Sequence, residues 1–256
     1  MSQNAYNAVM EEAVAGLVFG DTKDIATRKT PDNAIKFGRF VAKGTGDEEI
    51  IPFSSSGAVV EGISVRDVSH VEGYYPAEEP VGVLKLGRIW IESETAIGPD
   101  SSVYVCYAGR KQKQTITFDA DLVTSNKINM TVDGVAMTEV DFTSDHSTTM
   151  TAICTQLLTD FPNKFSAVTK TGRIITATVY TNGVDVVIAD VEVTAGATQA
   201  AAVVAETVTG ITDEEAYGKI RADADSPTRA VVKASGIKVL RTVAAGKYAP
   251  CQINVF

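Results

Sequence analysis

The feature that most constrains this chain is a β-strand texture that stops and later resumes. From residue 35 to 108, apolar and polar residues alternate with the two-residue period of strands in "IKFGRFVA" (35–42), "AVVEGISV" (58–65), "VGVLKLGRIWIE" (81–92) and "SVYVCYA" (102–108). After residue 227 the same texture returns in "TRAVVKA", "IKVLRTV" and "YAPCQINVF". About seven or eight short strands with Gly-rich connections are the usual signature of a sandwich, jelly roll or barrel. The outer segments, 35–110 and 213–256, therefore read as one discontinuous β domain.

Residues 111–212 carry a pattern of their own. "TITFDADL", "KINMTV" and "VAMTEVDF" read as strands, and Asp133-Gly134 between the last two is a strong hairpin signal. A helix follows, capped by Asp145 or a neighbouring Ser or Thr, with Met150, Ile153, Leu157, Leu158 and Phe161 at helical spacing until Pro162 stops it. "FSAVTK", "RIITATVY" and "DVVIADVEVTA" return to strands. One helix on a small sheet makes a complete α+β unit, and insertions succeed at exposed loop tips whose two ends lie close together. The expected architecture is mainly β: a jelly-roll-like or sandwich/barrel domain with a small inserted α+β domain.

Residues 1–34 are expected to form an N-terminal arm. "GDTKDIATRKTPDN" (20–33) is polar, contains Pro31 and lacks either periodicity, and it follows the apolar group Leu17, Val18 and Phe19. Those three residues are the candidate partner-binding site, as an anchor on a partner subunit. The basic cluster Arg110, Lys111 and Lys113 reads as a solvated linker at the change of texture.

The chemistry of the chain points away from catalysis. A net charge of -9 argues against a nucleic-acid partner, because that affinity comes largely from Lys and Arg neutralising phosphates. Glu11 and Glu12 occupy the place where a secretory leader carries positive charge, and no stretch approaches the roughly 18 apolar residues of a membrane span. A soluble protein made in the cytoplasm, with no membrane partner, is expected. Cys106, Cys154 and Cys251 are widely separated and sit among apolar neighbours, the pattern of buried thiols.

His70 and His146 are the only histidines, and both fall in polar loop or capping contexts. "SSSG" (54–57) lacks the first glycine of a nucleophile elbow, and "GTGDEE" (44–49) lacks the third glycine of a dinucleotide loop. The Asp119/Asp121 and Asp223/Asp225 pairs lack the glycine and distal glutamate of a calcium loop and read as surface acidity. No catalytic, cofactor-binding or metal-binding residue is assigned, and no cofactor is expected.

With residues 111–212 set aside, the chain resembles the structural cement, or head decoration, proteins of tailed bacteriophages. The resemblance is carried by the serial order of "AGLVFGDTKDIATRKT", "IKFGRFVAKGTG", "VVEGISVRDVS", "VGVLKLGRIWIE", "VYVCYAG" and "KIRADADSPTRAVVKASGIKVLRTVAAGKYAPCQINVF". The segment "TITFDADLVTSNKINMTVDGVAMTEVDF" looks similar to small domains of other phage virion proteins. The family resemblance implies a jelly-roll-like protein on the outer surface of the capsid. It would bridge neighbouring major capsid proteins as a homo-oligomer, dimer or trimer, with no active site to carry over. The alternative is a receptor-binding or fibre-like module on head or tail, whose inserted domain contacts the host surface.

Overall fold

The computed structural model describes residues 14–30, 34–224 and 230–254. Among these the chain is mainly β and divides into two compact units, one ending at Ala108 and resuming at Ala216, the other spanning Gly109–Glu215. Among the described residues no helix is long and apolar enough to cross a membrane.

Unit 1 begins with β1 (Val18–Lys29), β2 (Ile35–Lys36), β3 (Phe40–Lys43), β4 (Ile50–Pro52), β5 (Val60–Ser64), β6 (Tyr74–Tyr75), β7 (Pro80–Ser93) and β8 (Tyr104–Cys106). Unit 2 follows with β9 (Lys111–Phe118), β10 (Lys127–Val132), β11 (Val135–Ala136), β12 (Val140–Asp141), α1 (His146–Asp160), β13 (Phe165–Thr171), β14 (Ile174–Asn182), β15 (Ile188–Thr194) and β16 (Ala202–Val208). The chain returns through α2 (Asp213–Ala216) to β17 (Ile220–Arg221), β18 (Val231–Lys233), β19 (Ile237–Val239) and β20 (Lys247–Asn254).

In unit 1, β7 is the spine of an open ten-stranded sheet of order β18-β8-β17-β7-β5-β3-β4, to which β1 and β20 also add on β7. Its burial changes phase at Val83 and Leu84, so one strand serves two apolar clusters. Val81 and Val83 pack with Ile35, Phe37 and Tyr75, whereas Leu84, Ile89 and Ile91 pack with Phe40, Ile63 and Ile253.

The stretch from residue 20 onward is not the loop or arm expected of it. It forms most of β1, whose residues pair antiparallel with β7 from Val18↔Ile89 to Lys29↔Pro80. Backbone pairing holds this strand while most of its side chains stay exposed, so it leaves no alternating pattern to read. Residues 1–13 and Pro31 lie outside the described residues.

Glu61 ties three strands together, pairing with Arg28 of β1 and Lys85 of β7 at 2.8 Å each. Burial alone would raise its carboxyl pKa, but the Lys85 and Arg28 cations outweigh burial and hold it below the ordinary glutamate value. A carboxyl with a depressed folded pKa contributes stability that is complete above the unfolded value of 4.5 and is lost as pH falls through the folded one. Glu61→Gln should therefore lower the melting temperature most at neutral pH, with the gap to wild type narrowing below about pH 4.5. A gap that stayed constant across an acid titration would remove Glu61 as a pH-linked tie.

The returning chain is latched to β7 by charge. Lys219 pairs with Glu92 at 2.8 Å, as does Arg39, and Arg221 pairs with Glu94 at 3.2 Å and Asp223 at 2.8 Å. Ala222 N donates to Thr95 Oγ1 and Glu94 N to the Ile220 carbonyl, both at 2.9 Å. Arg39, Lys219 and Arg221 are all buried, and their carboxylate partners supply the compensation that buried cations need.

Unit 2 has two four-stranded sheets, β13-β14-β9-β16 and one in which β10 pairs β11, β12 and β15. Asp133 and Gly134 both take positive φ and close the β10–β11 hairpin. Asp145 caps α1 by accepting from Thr148 N at 2.8 Å. The buried stripe of α1 is Met150, Ile153, Cys154 and Leu157. Leu158, expected on this face, is exposed, because it lies one residue and about 100° around the helix from Leu157.

The basic cluster read as a linker lies within this unit's secondary structure. Lys111 and Lys113 belong to β9, where Gln112 and Gln114 point inward. Gln112 Oε1 accepts from Val186 N at 2.8 Å and Gln114 Oε1 from Ile188 N at 3.1 Å, binding the two sheets through satisfied amides.

Candidate interaction surface

The apolar group Leu17, Val18 and Phe19 enters the fold through a tight turn. Gly16 and Gly38, both at positive φ, are packed together; a Cβ on Gly38 would stand 2.5 Å from Gly16 N. Gly16 N donates to the Trp90 carbonyl at 2.9 Å and Trp90 N to the Leu17 carbonyl at 3.1 Å, fixing the start of β1 on β7.

The three residues have different surroundings. Val18 packs against the main core of unit 1. Phe19 lies half-buried with its ring 5.6 Å from that of Trp90, whose indole also carries the Arg241 guanidinium at 5.5 Å. Leu17 faces outward and is 43% exposed. Beyond Phe19 the β1–β7 register breaks until Asp24, and a shallow depression of about 340 Å³ opens between Phe19, Gly20, Leu86, Gly87 and Ile253.

A second element adjoins the turn. Arg66 N donates to the Gly16 carbonyl at 2.8 Å, so the loop that follows β5 starts beside Leu17. This loop presents Val68 and Val71, 87% and 84% exposed. It is braced from within: the Asp67 carboxylate accepts from Ser69 N at 2.8 Å, and those bonds hold its pKa below the usual aspartate value. His70 turns back onto Tyr75, ring centroids 5.1 Å apart, and its Nε2 lies 3.2 Å from Glu79. The valines are thus held outward on a structured loop. Sequence reading placed His70 in this loop but passed over Val68 and Val71, whose only signal was two apolar residues in a segment with no strand or helix period.

The remaining candidates have structural partners. His146 opens α1 and accepts from Leu122 N at 3.0 Å through Nδ1. Asp121 pairs with Arg173 at 2.7 Å, which lowers its pKa, and Asp119 accepts from Ala201 N. Asp223 pairs with Arg221, while Asp225 lies outside the described residues. Cys106, Cys154 and Cys251 are buried free thiols. Among the described residues no group of three or more His, Cys, Asp or Glu side chains is placed to hold a metal ion. The geometry offers exposed apolar projections on a latched β scaffold, the equipment of a structural binding protein.

A family profile agrees with that class. Residues 2–153 match the profile of the phage structural cement protein family (E217 gp24/Pam3 gp6), and the chain belongs to this family. It is a phage capsid cement protein and not an enzyme. The match runs past Gly109 into unit 2 and stops within α1, so it is not confined to the outer segments that carried the resemblance. No curated protein matches the chain. Among solved structures the chain is similar to one from the capsid of Myoviridae phage XM1, at 12% identity and TM-score 0.44 over 98% of each chain. It is also similar to one from Mycobacterium phage Patience, at 17% identity and TM-score 0.33 over 98% of this chain and 94% of that one. The family assignment rests on the profile match alone.

Proposed function

We propose that this protein sits on the outer surface of the mature head and bridges neighbouring major capsid proteins. In this reading unit 1 is the jelly-roll-like cement domain of the family and unit 2 its insertion, and several copies bind as a homo-oligomer. The observation that carries the contact surface is the pair of exposed valines, Val68 and Val71, on a braced loop beside Leu17. Exposed apolar groups held by a rigid frame lose little conformational freedom on docking, so their burial goes into affinity.

A shell packed with DNA is under outward pressure. A protein that binds only the expanded shell stabilises it by mass action, and many symmetry-related copies make modest single contacts add up. No chemistry is required.

Particles lacking the protein should release DNA at lower temperature and under osmotic shock, and purified protein added back should restore resistance. Val68→Asp/Val71→Asp should weaken shell binding at least tenfold, which corresponds to about 1.4 kcal/mol, while the isolated protein keeps its melting temperature. Full rescue by the double variant would place the contact elsewhere. Failure of the wild-type protein to bind shells, with binding to host cells instead, would favour the receptor-binding alternative.

A further inference from the structure

One face of unit 1 gathers cations on a chain whose net charge is -9. Lys238 of β19, Gln252 of β20, Arg88 of β7 and Phe19 of β1 stand in one row, in direct cross-strand register. In the row beside it Trp90 lies opposite Pro250 and donates to the Leu17 carbonyl. Leu240 N donates to the Pro250 carbonyl at 2.8 Å, which brings the Arg241 guanidinium over the Trp90 ring.

Arg88, Lys238 and Arg241 are exposed, and among the described residues no carboxylate pairs with any of them. Elsewhere in unit 1, Arg28, Lys85, Arg39, Lys219 and Arg221 each hold one. Neither row contains an acid. In the flanking rows Glu92 is already engaged by Arg39 and Lys219, and Asp24 lies opposite Leu86. Asp21 stands on the rim of the depression that Phe19, Leu86 and Ile253 line beside Arg88.

We propose that this face binds an extended acidic segment of the capsid protein, with an aromatic or aliphatic side chain set between carboxylates. Only the owner of the segment rests on the cement reading; its chemistry follows from the face. Charges are screened beyond about 8 Å at physiological ionic strength, so the local sign decides the contact and the net charge does not. A guanidinium stacked on an indole keeps its N–H edge free for a planar carboxylate, and Arg and Trp are the residues that most often dominate binding energy. The depression of about 340 Å³ has apolar walls, which suit a side chain and not a phosphate. Four strands span about 14 Å, the length of four or five extended residues.

Trp90 is the only tryptophan, so its emission reports on this face alone. The capped peptide Glu-Glu-Phe-Glu-Glu, titrated into the full chain to about 10 mM, should change that emission saturably. Lys-Lys-Phe-Lys-Lys should not. Arg88→Ala/Arg241→Ala should weaken the response at least tenfold. On shells lacking the protein, Arg88→Glu/Arg241→Glu should bind at least tenfold more weakly than wild type, with its melting temperature unchanged; Lys238→Glu repeats the design if the double variant melts early. No saturable response, an equal response to the lysine peptide, or a stronger one to an oligothymidylate of the same charge would overturn the proposal, the last in favour of a phosphate polymer. A charge-reversed protein that binds shells like wild type would overturn the assignment to the capsid. If the wild-type protein binds no shells while the peptide response holds, the cement reading fails and the acidic ligand stands.

Discussion

Arg221→Ala should lower the melting temperature of unit 1 by roughly 6–20 °C while unit 2 unfolds where it did before. Arg221 is 4% exposed and pairs with Glu94, itself nearly buried, and with Asp223. Removing one partner of a buried pair strands the other charge, a loss of about 3–5 kcal/mol, and each kcal/mol moves the melting point of a domain this size by about 2–4 °C. The buried thiols supply the readout. Burial pushes the Cys251 thiol up to about 12 and raises that of Cys154, so in the folded protein these sulfurs resist alkylation. On heating, Cys106 and Cys251 should become reactive earlier in the variant, with Cys154 unchanged. Arg221→Met/Glu94→Gln should regain most of the loss, because no buried charge is then left unpaired and Asp223, which also loses its partner, is solvent-exposed. An equal shift of all three cysteines would mean that the two units unfold as one.

The second large effect concerns unit 2. Joining Ala108 to Ala216 removes residues 109–215, and the remaining protein should still fold and should protect shells nearly as well as the whole chain. The ground for this is that unit 2 has a core of its own, centred on Ile116, Phe118, Ile153 and Ile175, and that the latch of Lys219 and Arg221 on β7 lies entirely in unit 1. A milder version is Phe118→Ala, which removes a fully buried ring at a cost of about 3–5 kcal/mol. It should expose Cys154 early and leave shell binding within twofold. Because the family match continues into unit 2, the opposite result has a clear meaning. If excision abolishes shell protection while unit 1 stays folded, unit 2 makes part of the capsid contact.

Much of the strand content was legible because burial imposes alternation. The "VGVLKLGRIWIE" segment matches β7, and the Asp133-Gly134 turn announced its hairpin through the backbone conformation it needs. What could not be read is where backbone pairing or satisfied polar groups replace apolar burial. β1 is polar and exposed yet paired with β7 at both ends, at Val18–Phe19 and Asp24–Lys29, and β9 opens with two buried glutamines that look like surface. Strand order was equally hidden, since pairing of β7 with four partners is set by long-range register and leaves no local mark. At the candidate surface, Leu17 was visible as an apolar residue. Val68 and Val71 were not, because the Arg66–Gly16 bond that starts their loop beside Leu17 joins segments far apart in sequence.

The two chain crossings between the units have a mechanical consequence. In unit 1 Cys106 N donates to the Lys219 carbonyl and Gly218 N to the Cys106 carbonyl, both at 2.9 Å. In unit 2 Arg110 and Ile211 exchange a pair of hydrogen bonds at 2.8 Å. The outgoing and returning strands are therefore zipped together on each side of the crossing. Tension entering unit 1 from a straining shell passes directly from β8 to β17 and on to β7, and it does not draw the ends of unit 2 apart. With the shell contact in unit 1, as proposed, unit 2 is a side loop in the load path, wired in parallel and not in series. A shell under pressure can pull on this protein without stretching the domain it carries.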